Sequence, residues 1–218
     1  MAIKAVLFDL DGTLLNTLSD LTDSVNFMLE NFGFPTHSEQ KIRSIVGHGV
    51  KNLISRALPP DASEELFEKA LSTYKAHYET NQINKTAPYA GIPAMLRELK
   101  SRGIKLAIVS NKHNEATQFL SRHYFGDLID FTIGNCDFLE KKPAPDMANY
   151  VLDKLGISKN EAVFAGDAET DILTAKNAGL PCITVTWGFR DRDELIGSGA
   201  EIFVDEPKDF ISVIENLQ

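Results

Sequence analysis

The chain has 218 residues and a formal net charge of −9, with 22 Lys and Arg against 31 Asp and Glu. That balance argues against nucleic acid as the main partner, because no basic run could neutralise a phosphate backbone. Hydrophobic residues make up 43%, enough for a sizeable globular core, yet no apolar run reaches the roughly 18–20 residues of a bilayer span. The opening MAIKAVLFDLDGTLL does not read as a secretory signal, since Asp9 and Asp11 interrupt the apolar stretch. Cys136 and Cys182 form neither a disulfide framework nor a metal-ligand spacing. The expectation is a cytoplasmic protein with two buried thiols and no membrane contact; composition carries no signal for oligomeric state.

The first segment, AIKAVLFDL, is a nearly continuous apolar run, the pattern of a strand buried on both faces of a parallel sheet. From Thr17 to Thr86 the periodicity turns helical. Leu18, Leu21, Val25, Met28, Leu29 and Phe32 share one face, with Gly33 just beyond. Thr36 with Glu39 reads as a capping box for a second helix. A third helix is expected over Val50–Ala57, stopped by Pro59 and Pro60. A fourth spans Ser63–Thr80, with Leu66, Ala70, Tyr74 and His77 inward.

After Pro88, helices and strands alternate. Helices are expected at Ile92–Ser101, Glu115–Arg122, Asp146–Leu155, Thr170–Ala178 and Lys208–Glu215. Between them lie IKLAIVS, a short strand at Phe131–Ile133, EAVFAG, CITVT and a last strand at Glu201–Val204. This alternation predicts an α/β fold with a doubly wound parallel sheet. The predicted boundaries are a core of residues 1–16 and 87–218, with an all-helical cap at 17–86 inserted after the first strand.

Ligands of open α/β sheets bind beyond the carboxyl ends of the strands. Reading only those ends yields Asp9, Asp11, Gly12 and Thr13; Ser110 and Asn111; and Asp167, with Asp171 one helical turn on. Lys142 stands before Pro143 and Pro145 at a helix start, whereas its neighbour Lys141 reads as a solvated lysine. Four separated segments thus bring carboxylates, a hydroxyl and an ammonium to one edge. Separately, Asp167 and Asp171 would pass as first-turn acids of a helix, and Glu169 keeps that reading.

DLDGT, VSN, KPAPD and GDAETD resemble, in order, the four motifs of the haloacid dehalogenase superfamily of phosphohydrolases. DxDGT alone arises by chance at roughly one position in 10⁵, and the likeness covers the whole chain. It implies a Mg²⁺-dependent phosphatase for a small phosphorylated metabolite, with Asp9 as nucleophile and a phospho-aspartate intermediate. Asp11 would be the general acid and base, its backbone carbonyl a metal ligand. Asp9 and Asp167 would hold the metal, and Asp171 would steady a metal-bound water. Lys142 would steady nucleophile and phosphoryl group, while Gly12, Ser110 and Asn111 bind the phosphoryl oxygens and Thr13 orients the loop.

VGHGV with Leu53, Arg56, Ala57 and Leu58, together with TWGFR and GAEIFVDEP, is similar to phosphoglycolate phosphatases. That likeness implies 2-phosphoglycolate as substrate. It leaves His48 as a substrate-facing donor or a capping or solvent-facing histidine. Lys51 reads as an exposed helix lysine rather than the Schiff-base lysine of phosphonoacetaldehyde hydrolases. Trp187 reads as a packing residue. Asn16 stands where many relatives carry aspartate, at the expected hinge. A phosphosugar mutase shares the Asp9/Asp11 pair and stays open as an alternative. A phospho-accepting receiver domain stays open too, although it would need neither Asp11 nor a helical cap.

Overall fold

The protein, analysed as a computed structural model, is described over residues 2–217. Its chain divides into two compact units, one of Met1–Leu15 with Pro88–Gln218 and one of Asn16–Ala87. Strand β1 (Ala5–Phe8) opens the first unit, and the short β2 (Leu15–Asn16) leads out of it.

The second unit holds α1 (Leu18–Asn31), α2 (Glu39–Ile45), α3 (Val50–Ala57) and α4 (Glu64–Asn81). The α1 face formed by Leu18, Leu21, Val25, Met28 and Leu29 is buried as its spacing requires. Asp20, only 1% exposed, takes hydrogen bonds from the Lys85 and Thr86 amides and the Thr86 hydroxyl, tying the end of the unit to its first helix. The Asn16 side chain accepts from the Leu18 amide at 3.3 Å, helping to start α1. The cap of α2 is Ser38, whose hydroxyl accepts from the Lys41 amide, and not Thr36. Glu39, read as the return partner of that box, instead accepts from the Ser19 hydroxyl at 2.8 Å. On α4, Leu66 and His77 are half-buried, and His77 contacts the Ser24 hydroxyl at 3.0 Å.

Strand β3 (Ala87–Pro88) pairs with β2, and the first unit resumes. Its further elements are α5 (Ile92–Ser101), β4 (Lys105–His113), α6 (Asn114–Phe125), β5 (Phe131–Asn135), α7 (Asp146–Leu155) and β6 (Ala162–Gly166). Then follow α8 (Glu169–Ala178), β7 (Cys182–Val185), α9 (Arg192–Gly197), β8 (Ile202–Val204) and α10 (Phe210–Asn216). Helix α9 has no counterpart in the periodicity reading. It is short, and its signal is the Asp191/Glu194 capping box, with the Asp191 amide donating to Glu194 at 2.9 Å.

Six strands form one parallel sheet in the order β5-β4-β1-β6-β7-β8. Val6 and Phe8 face a core with Leu96, Leu99, Phe210 and Ile214, while Ala5 and Leu7 face a second core with Met147, Val151, Ala175 and Ala178. Burial on both faces is why β1 reads as an unbroken apolar run, each large side chain contributing about 1.5–3 kcal/mol. The chain steps outward from β1 through β4 to β5, then returns to β6 on the other side of β1. Strand order therefore reverses between β1 and β6, and such a switch point opens a crevice at the strand ends. No helix among the described residues is long and apolar enough to cross a membrane. Both cysteines are free and half-buried rather than buried.

Candidate active site

Asp9 leaves β1 and Asp167 leaves β6, the two strands flanking the switch point. The Asp9 amide still donates to the Ala165 carbonyl at 2.9 Å, so the ladder fixes its backbone. The chain then turns, with the amides of Leu14 and Leu15 both donating to the Leu10 carbonyl at 3.0 Å. Gly12 sits in this turn at φ +87°, and a Cβ there would lie 2.3 Å from Asp167 Oδ2. Both the dihedral and the close approach demand glycine.

Asp167 is 1% exposed. Thr13 Oγ1 donates to its Oδ1 at 2.7 Å and the Phe189 amide to its Oδ2 at 2.8 Å. Gly188 makes room for this, since a Cβ on it would come within 2.3 Å of the Asp167 side chain. The Trp187 indole donates to the Thr13 carbonyl at 2.9 Å, so Trp187 does more than fill space. Arg190 meets Glu169 at 3.0 Å.

Lys142 is 1% exposed, although it follows a loop of charged residues. The chain turns here, the Ala144 amide donating to the Lys141 carbonyl at 3.0 Å, and the Asn111 side chain donates to the Lys142 carbonyl at 3.0 Å. The ammonium donates to Asp171 Oδ1 at 2.6 Å and stands 2.9 Å from Asp9 Oδ1. Asp171 Oδ2 accepts from the amides of Asp167 and Ala168 at 3.1 and 3.0 Å. Both of its oxygens are therefore engaged, one holding Lys142 and the other the first turn of α8.

Burial and the Asp171 and Asp9 charges push Asp167 up to about 8. Asp9 rises to about 6, chiefly through burial; Lys142 opposes the rise, and Asp171 and Asp11 add to it. Burial alone would lower Lys142, but the facing charges of Asp171 and Asp9 outweigh it and hold the ammonium above its ordinary range.

Carboxylate oxygens of Asp9, Asp167 and Asp171 lie within 4.8 Å of one another. Three buried carboxyl groups thus face the ammonium of Lys142, an excess of acidic groups over positive charge. The excess and the hard oxygen donors both fit a divalent cation.

Asp11 is paired differently. Lys112 Nζ lies 3.0 Å from each of its carboxylate oxygens. Ser110 and Asn111 are buried on the same strand end, and Ser110 Oγ accepts from the Lys112 amide at 3.3 Å. His48 belongs to the other compact unit, half-buried in the Gly47–Gly49 turn before α3.

Pattern reading thus names Asp9, Asp11, Gly12, Ser110, Asn111, Lys142, Asp167 and Asp171, and all eight fall within one compact unit. It misses Lys112, although a residue two after Ser110 on a strand shares its face. It also misses the Phe189 amide, which no side-chain type could reveal.

The family model described as haloacid dehalogenase-like hydrolase matches residues 6–185. A phosphoglycolate phosphatase of Neisseria meningitidis is 35% identical, with 92% of each chain covered. One of Vibrio vulnificus is 32% identical over 97% of this chain and 96% of its own. A crystal structure from Lactobacillus delbrueckii subsp. bulgaricus, described as a candidate phosphoglycolate phosphatase, superposes with a TM-score of 0.94 at 33% identity, covering 98% and 99% of the two chains.

Proposed function

The chain belongs to the haloacid dehalogenase-like hydrolase family, and from that premise we propose a magnesium-dependent phosphatase that cleaves 2-phosphoglycolate through a phospho-aspartate on Asp9. The observation that carries this reading is the buried Asp9 carboxylate beside Lys142, joined at the switch point by Asp167 and by Asp11 two residues on.

Asp9 attacks phosphorus while the bond to the leaving oxygen breaks, and Asp11 gives that oxygen its proton. A water then attacks the phosphorus of the phospho-aspartate, Asp11 takes the water's proton, and Asp9 is freed with inorganic phosphate. Lys142 holds the nucleophile in place, and Ser110 and Asn111 supply donors to the phosphoryl oxygens, which Gly12 lets approach the backbone. Asp9, Asp167 and the Asp11 carbonyl would hold Mg²⁺, which would supply the positive charge that lets a carboxylate meet a phosphate dianion. Asp171 keeps Lys142 and the Asp167 backbone in register. Choice of substrate is assigned to the helical unit, where His48 and the amides around it are donors of the type a carboxylate needs.

Kinetics on three phosphate esters test the whole reading. The expected result is a kcat/KM for 2-phosphoglycolate above those for glucose 1-phosphate and a nucleoside monophosphate, abolished by EDTA and restored by Mg²⁺. Full activity in metal-free buffer would sink the mechanism. Isomerisation of glucose 1-phosphate, or a tenfold preference for the nucleotide, would sink the substrate.

A stability experiment probes the cluster without turnover. Asp9 at about 6 and Asp167 at about 8 both stand above the ordinary 3.8, so the metal-free folded protein keeps protons that the unfolded chain releases. Their contribution is whole below about pH 4 and fades as pH rises, through about 6 for Asp9 and about 8 for Asp167. In EDTA the melting temperature should therefore fall between pH 6 and pH 8, by on the order of 5 °C. Mg²⁺ should stabilise more at pH 8 than at pH 6. An unchanged or rising melting temperature in EDTA would contradict the charge excess.

A further inference from the structure

Each of the two carboxylates in the first motif has its own lysine. Lys142 serves Asp9, and Lys112 serves Asp11. We propose that Lys112 is the positioning residue of the acid–base step, holding the Asp11 carboxylate where it meets the leaving oxygen. The inference rests on the phosphatase reading and adds to it a residue that the four motifs do not contain.

Geometry supports this on three counts. Lys112 Nζ is equidistant, at 3.0 Å, from both oxygens of Asp11, which fixes the plane of the carboxylate as well as its position. The side chains are 7% and 16% exposed, so water does little to screen the pair. Lys112 is itself fixed at the end of β4, its amide bound to Ser110 Oγ at 3.3 Å and its carbonyl to Thr117 Oγ1 at 3.2 Å. A lysine on a loop would hold Asp11 less closely, because precision comes from the rigid element beneath it. A desolvated ion pair also roughly breaks even in stability against an apolar replacement. The effect of this one falls on the location of the Asp11 oxygens.

The consequence is a dependence on leaving group. Phenolate leaves poorly and needs the Asp11 proton, whereas p-nitrophenolate leaves without one. The value of kcat/KM reports only steps through formation of phospho-Asp9, so it isolates this difference. Hydrolysis of phospho-Asp9 needs Asp11 as base whatever the leaving group, so kcat should fall for both esters.

The experiment compares wild type, Lys112→Met and Lys112→Gln on phenyl and p-nitrophenyl phosphate with Mg²⁺, each variant first checked for a cooperative melt. Lys112→Gln keeps a donor and the packed stem should Lys112→Met not fold. For the neutral variants kcat/KM should drop about 100-fold on phenyl phosphate and by less than about threefold on p-nitrophenyl phosphate. A burst of p-nitrophenolate should precede slow steady-state turnover. Lys112→Arg, which keeps the charge, should recover most of the phenyl phosphate activity. Equal losses of kcat/KM on both esters, or none on either, would overturn the positioning role while leaving the phosphatase reading intact. Wild-type protein that turns over neither ester nor 2-phosphoglycolate would overturn both.

Discussion

Asp9→Asn is expected to lower turnover of 2-phosphoglycolate by on the order of 10⁴-fold or more, because the amide cannot attack phosphorus and the oxygens of the neighbouring Asp167 and Asp171 are already engaged. Brief incubation with ³²P-labelled substrate should label the wild-type chain on an aspartate and leave the variant unlabelled. Asp11→Asn should differ in kind, slowing both formation and hydrolysis of the intermediate while substrate still binds. Stability separates loss of chemistry from loss of fold. Burial and the Asp171 and Asp11 charges hold Asp9 at about 6, so its ionised form burdens the metal-free protein at pH 8. Asp9→Asn should then melt no lower than wild type in EDTA at that pH. A variant that kept a tenth of wild-type kcat would remove Asp9 from the role of nucleophile.

Lys142→Met should cost both fold and function. The ammonium is 1% exposed and lies 2.6 Å from Asp171 and 2.9 Å from Asp9. Its removal leaves three buried carboxylates with nothing cationic among them. Breaking one side of such a buried pair typically costs about 3–5 kcal/mol, or on the order of 10 °C in melting temperature for a chain of this size. The double variant Lys142→Met with Asp171→Asn removes charge from both sides. The carboxamide oxygen introduced by Asp171→Asn can still accept from the Asp167 and Ala168 amides, so the double variant should be more stable than Lys142→Met alone. Activity should be lost in both. A Lys142→Met protein melting within about 2 °C of wild type would show that the buried ion pairs are not holding the site together.

The core was legible because its signals are local. From Ile92 onward most buried strands are short apolar runs and α5 and α7 are amphipathic, with stops at Gly156 and Gly179 where α7 and α8 end. The acids and Lys142 were legible for a related reason: they sit at strand and helix ends, where a change of pattern marks them. Local reading failed where side chains compete over distance. Thr36 and Glu39 have the residue types of a capping box, but Glu39 is taken by Ser19, twenty residues away, and Ser38 caps the helix instead. Helix α9 is too short for periodicity to reveal, and Lys112 lies just beyond the apolar run that defines β4.

The sequence by itself therefore determined the α/β class, the segments that reach the ligand-binding edge, and the kinds of chemical group they carry. Only the tertiary structure decided the strand order, since every order of the same six strands has the same linear pattern. With that order came the pairing of charges, Lys142 with Asp9 and Asp171 and Lys112 with Asp11. It also set the protonation of the cluster, because Asp167 near 8 and Asp9 near 6 reflect first of all burial, and then charges that include the Asp171 carboxylate acting on Asp9 from far along the chain. Coulomb energy and desolvation depend on distance and surroundings in space, and only folding sets those for residues so far apart along the chain.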